Sequence, residues 1–128
     1  MTAQIDKKWD GLTITRDLAV GIYFAGIRHT RFTLRAPVAG DLIGAHEQYP
    51  GAPWHLTTID VYRRQLLSVG DIPAENLTTE LLRDSLMEID LAVIADADLE
   101  LEKKLKPQSA ATPTGDESNT PSSGTATE

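Results

Sequence analysis

Apolar and polar positions change rhythm along this chain, dividing it into a strand-forming beginning, a helix-forming middle and a polar end. Near the start Leu12-Thr13-Ile14-Thr15 alternates, and Val20-Gly21-Ile22-Tyr23-Phe24 is rich in β-branched and aromatic residues. Arg31-Phe32-Thr33-Leu34-Arg35 then has a clean period of two. In that run Phe32 and Leu34 share one face, while Arg31, Thr33 and Arg35 share the other, as in a strand with one dry side. Gly21 and Gly26 interrupt the pattern as a bulge or turn would. The runs predict an antiparallel sheet of two or three strands, which needs helices on one face to be stable.

From Pro37 the period becomes helical. Pro37 suits a first helical turn, and a short helix through Asp41 to Glu47 ends before Pro50-Gly51-Ala52-Pro53. Thr57 or Thr58 caps a second predicted helix, with Ile59, Tyr62, Leu66 and Val69 spaced by three, four and three residues and a stop at Gly70. A third helix, capped by Thr78 or Thr79, carries a stripe of Leu82, Leu86, Ile89, Val93, Ala97 and Leu101. Leu81, Met87, Leu91, Ile94 and Leu105 widen it beyond a narrow seam. Beyond Lys106-Pro107 there is no Leu, Ile, Val, Met or aromatic residue, so that segment has too little apolar surface to offset its ordering entropy. The expected organisation is one α+β domain over residues 1–106, with a small N-terminal antiparallel sheet or hairpin and about three helices, followed by a disordered Ser/Thr/Pro-rich tail over 107–128.

Composition narrows the chemistry. Of 128 residues 41% are apolar and only 5% aromatic, so aliphatic side chains fill the core and a large aromatic pocket is not expected. The formal charge of −7 opposes general binding to phosphate backbones or anionic membranes. It is unevenly spread: Met1 to Ala36 holds six basic and three acidic residues, whereas Pro73 to Lys106 holds four basic and nine acidic. The two ends are complementary, which suits internal packing or self-association. The absence of cysteine excludes disulfides, thiolate nucleophiles and Cys-ligated metals. No run approaches the roughly 18 apolar residues of a membrane helix, and the chain is expected to be soluble and unexported.

No catalytic, cofactor-binding or metal-ligating set is apparent. His29, His46 and His55 lack metal-ligand spacing, and Asp96-Ala97-Asp98-Leu99-Glu100 lacks the glycine of a calcium loop and reads as a solvated helix face. Arg28, Arg31 and Arg35 could form a basic strand surface, but Phe32 lies on the opposite face and leaves no stacking platform beside them. The wide stripe of the third helix carries a different idea: apolar groups in excess of core needs cover an apolar segment of another protein, while the acidic charge keeps the complex dissolved.

The order of several short motifs resembles the tail assembly chaperones of contractile-tailed and Mu-like bacteriophages. These are Phe32-Thr33-Leu34-Arg35-Ala36-Pro37, then Val38-Ala39-Gly40-Asp41-Leu42, then Leu66-Leu67-Ser68-Val69-Gly70-Asp71-Ile72-Pro73. Leu77 and a helix with Leu82, Leu86 and Ile89-Asp90 complete the set, which spans about Leu12 to Leu105. The resemblance implies a non-enzymatic protein that binds the long helical tape measure protein in the host cytoplasm and keeps it soluble during tail assembly, with the tail tube subunit as a further partner. On that reading Leu82, Leu86, Ile89 and Val93 form the partner-binding surface, and no cofactor is needed. The stretch Gln48 to Trp54 and the polar tail depart from the family's compact pattern. Two rivals are a minor structural or adaptor protein retained in the virion, and a small nucleic-acid-binding regulator using Arg28, Arg31 and Arg35.

Overall fold

A computed structural model describes residues 7–105; the predicted tail lies outside them. Strands β1 (Thr13–Phe24) and β2 (Ile27–Arg35) form a long hairpin. Its two-residue turn, Ala25-Gly26, has both φ angles positive, 53° and 80°, the twist that joins antiparallel strands without splaying them. Helices α1 (Ala39–Gln48) and α2 (Trp54–Gln65) follow. Strand β3 (Leu66–Val69) then pairs antiparallel with β2, giving the order β1-β2-β3. Helices α3 (Thr79–Ser85) and α4 (Glu88–Leu105) complete the chain. Short 3-10 turns occur at Lys7–Trp9 and Ala74–Asn76.

The architecture is α+β, as the period change predicts. Ile14 pairs with Leu34, and Phe32 with Val69, on the dry face of the sheet. Leu82 of α3 and Ile94, Ala97 and Leu101 of α4 close over them to make an aliphatic core. On the other face Thr15 and Thr33 are opposite each other and share a hydroxyl hydrogen bond of 2.9 Å.

Between the pairs Asp17/Arg31 and Ile22/His29, four residues of β1 face a single residue of β2. This wide bulge turns three consecutive backbone N–H groups away from β2, and a donor left unpaired away from water is costly. The Asp90 side chain, fully buried in the first turn of α4, accepts them all: Ala19 at 2.6 Å, Val20 at 3.1 Å and Gly21 at 2.8 Å. Gly21 has φ +98°, and a Cβ there would lie 2.9 Å from the His29 carbonyl oxygen. Only glycine fits.

Two departures from the expected elements have physical causes. The second helix stops at Gln65, and Leu66 to Val69 form an edge strand in place of its last turn. A register irregularity between Thr33 and Leu34 brings Leu66 and Val69, three residues apart, opposite Leu34 and Phe32, two residues apart. A bulged strand thus imitates helical spacing. The start also moves: Pro53 is the N-cap, so Thr57 and Thr58 lie inside α2.

The third helix is two. Thr78 caps α3 by accepting the Leu81 N–H at 3.1 Å, but Leu86 is extended (φ −84°, ψ 120°) and α4 starts afresh. One straight helix over residues 79–105 would be roughly 40 Å long at 1.5 Å per residue, longer than a domain of this size can cover. The break lets α3 pack on α2 while α4 runs along β1 with Asp90 under the bulge. Pro37 lies outside α1, two residues before the first helical position, and Val38 between them is extended.

Replacing Asp90 by alanine strands three donors and should lower the unfolding free energy by about 3 kcal/mol, given 1–3 kcal/mol for each buried group left unsatisfied and partial relaxation. Urea denaturation reads the loss. Hydrogen exchange should accelerate at Ala19, Val20 and Gly21 more than at Phe32; uniform acceleration would mean that Asp90 does not hold the bulge specifically.

Candidate partner-binding groove

Helix α1 is turned the wrong way for an ordinary amphipathic element. The two residues it buries are Asp41 and Ala45, while Leu42 and Ile43 stand 54% and 56% exposed, with Val38 beside them at 50%. An ion pair sets that orientation. Arg35, at the end of β2, grips Asp41 with two nitrogens at 2.9 and 2.7 Å and also donates to the carbonyls of Ala36 and Arg64. Asp41 reaches back to accept the Val38 N–H at 2.8 Å, fixing the first turn. Trp9 lies over the Arg35 guanidinium at 4.7 Å. Gly44 lets Arg64 pass close to the α1 backbone, where any Cβ would collide with its guanidinium.

Helix α2 repeats the inversion in part, since Ile59 and Tyr62 still pack against the core. It buries Thr57, Asp60 and Gln65, leaving Ile59, Val61 and Tyr62 half-buried. Asp60 accepts from the Thr79 hydroxyl at 2.5 Å and Arg64 at 2.7 Å, with Arg63 at 3.5 Å, which ties α2 to α3. Gln65 donates to the Arg35 carbonyl at 3.0 Å and to Asp98 of α4 at 2.9 Å. Buried polar groups share the inner side of α1 and α2 with Ala45 and with Ile59 and Tyr62, which pack partly against the core, while Val38, Leu42 and Val61 face away from it.

Those outward groups line an open groove of about 450 Å³ between the start of α1 and one face of α2. Val38, Leu42, Val61 and Tyr62 form its apolar walls, and Asp98 stands at one side. Among the described residues Asp98 has Gln65 as its hydrogen-bond partner and belongs to no ion pair. Burial raises the pKa of the Tyr62 hydroxyl, and the Asp98 charge raises it further. A smaller, polar cleft of about 330 Å³ near Tyr49, Arg63 and Glu80 has its groups tied to one another and to α3.

The four stripe residues do not form one surface. Leu82 is 1% exposed and belongs to the core, and Leu86 and Val93 pack partly buried against it. Ile89 alone of the four is broadly open, at 57%, next to exposed Met87. The stripe reads as continuous only if the helix is continuous, and the break at Leu86 divides it. Asp98, expected on a solvated face, instead turns to Gln65 and the groove. Val38, Leu42 and Ile43 have no pattern in sequence that separates outward apolar groups from inward ones. The faint signal was Asp41 in the midst of that cluster.

The arginines are dispersed. Arg35 is consumed by the Asp41 pair, Arg31 lies 3.6 Å from Asp17, and Arg28 stacks over Tyr23 at 5.7 Å. Tyr23 is thus an aromatic neighbour that the alternation argument did not supply. His29 is buried: its Nδ1 accepts the Asp71 N–H at 3.2 Å, which leaves the proton on Nε2, 3.3 Å from the Phe24 carbonyl. Its role is to tie the turn after β3 to the hairpin. Among the described residues no group of three or more metal-ligating side chains occurs, and no helix is long and apolar enough to cross a membrane.

Comparisons with protein-family models, curated proteins and solved structures gave no match.

Acid should loosen this layer. Burial alone would raise the carboxyls of Asp41 and Asp60, but Arg35 and the Val38 N–H hold the first, and Thr79 and Arg64 the second, below the ordinary 3.8. A pKa lowered by folding adds stability that is complete above the unfolded value and disappears as pH falls through the folded one. The urea midpoint should therefore be flat down to about pH 5 and fall steeply by about pH 2. An Asp60→Asn variant should show a shallower acid limb; an unchanged limb would contradict the assignment.

Proposed function

We propose that this protein is a non-enzymatic assembly chaperone of the phage tail type, which covers an apolar helical segment of a tape measure protein and keeps it soluble until the tail tube forms around it. The observation that carries the reading is the inverted α1–α2 layer, which buries Asp41, Asp60 and Gln65 and leaves Val38, Leu42 and Val61 lining an open groove. A layer built only for stability would do the reverse, since apolar burial is the main favourable contribution to folding. The formal charge of −7 supports the reading, because a complex that covers apolar segments stays dissolved through its remaining charge. The order of motifs from Phe32 to Asp90 supplies the link to tail assembly.

Co-expression of the full chain with a tape measure protein should raise the soluble fraction of that protein several-fold and yield a complex that survives gel filtration. Leu42→Asp should remove the effect while the melting temperature stays within a few degrees, because the side chain is exposed. Ile89→Asp tests the exposed start of α4 separately. No gain in solubility and no complex with the unaltered chain would overturn the chaperone reading.

A further inference from the structure

The groove between α1 and α2 combines an apolar lining with one carboxylate, Asp98, that has no cationic partner among the described residues. Asp98 is half-buried, and its contact with Gln65 is a single hydrogen bond from an uncharged donor. A partly desolvated carboxylate gains most from a cation brought against it. The rim offers no strand edge: Pro37 has no N–H, that of Val38 is taken by Asp41, and the opposite wall is the side of a helix. An extended peptide would find no backbone ladder there. A helix brings its own hydrogen bonds and presents only side chains, which is what this lining accepts.

We infer that the groove binds an amphipathic helix of a partner protein, with aliphatic side chains seated against Val38, Leu42 and Val61 and one lysine or arginine at the edge of that face paired with Asp98. This deepens the chaperone reading and rests on it. The charge also imposes selection. A segment with glutamate at the same place meets Asp98 as a like charge in a partly dry setting and is rejected, so the groove distinguishes among apolar helices as well as covering them.

The test uses the full chain and fluorescently labelled synthetic helices of 18 residues, with leucines at i, i+3, i+4 and i+7 spacing. One flanking position carries Lys, Gln or Glu. The unaltered protein should bind the Lys helix at least tenfold more tightly than the Glu helix, with Gln between. Asp98→Asn keeps an acceptor for Gln65 and should collapse that difference to under threefold without changing the melting temperature. Asp98→Lys should invert the preference, and Leu42→Asp should abolish binding of all three. Equal affinity for Lys and Glu helices, a preference that survives Asp98→Asn, or binding unaffected by Leu42→Asp would each overturn the inference. So would concentration-dependent dimerisation blocked by Leu42→Asp, since a second copy would then occupy the groove. If the tape measure protein is solubilised while the helices fail these tests, the chaperone reading stands and the groove assignment falls. If the helices behave as expected but co-expression has no effect, the reverse holds.

Discussion

A carboxylate taken out of water must be surrounded by donors, and that requirement organises this domain. Asp90 stands beneath the bulge of β1 and accepts three consecutive backbone N–H groups, so it couples the hairpin to α4. Asp41 is held by Arg35 and couples α1 to the end of β2. Asp60, held by Thr79 and Arg64, couples α2 to α3. Each carboxylate fixes a junction between elements, and the aliphatic core fills the space between sheet and helices. For the ion-paired Asp41 and Asp60 desolvation offsets much of the attraction between charges.

The same requirement explains why apolar side chains remain outside. With Asp41 and Ala45 inward, a helix of ten residues has no second buried face for Leu42 and Ile43. With Thr57, Asp60 and Gln65 inward, α2 sends Val61 and part of Tyr62 toward the groove. The groove is a consequence of how polar groups are satisfied behind it. A chain that spends interior positions on ion pairs and exterior positions on leucine has a surface shaped for contact.

Glycine enters where the backbone is crowded. At Gly21 the bulge turns against β2 with a positive φ, and at Gly44 the end of the guanidinium whose Nε holds Asp60 lies against α1. Both positions serve the carboxylate junctions, one by permitting the bulge that Asp90 caps and the other by admitting the guanidinium that holds Asp60.

Period two around Phe32 and Leu34, the helical period after Pro37 and the Thr78 cap were all legible in the residues, because each is a local pattern that local geometry decides. They determined an α+β domain with an aliphatic core. Where elements ended was not local. Leu66 to Val69 became a strand because β2 offered an irregular register that matched a three-residue spacing, and the third helix broke because Asp90 was needed under β1, some seventy residues earlier in the chain. The partner surface followed the same division. Leu82, Leu86, Ile89 and Val93 share a stripe in sequence, yet three of them pack into or against the core, whereas Val38 and Leu42, outside that stripe, line a groove. Local periodicity records which side chains prefer to be dry, but the pairing of distant charges and backbone donors determined which of them were enclosed.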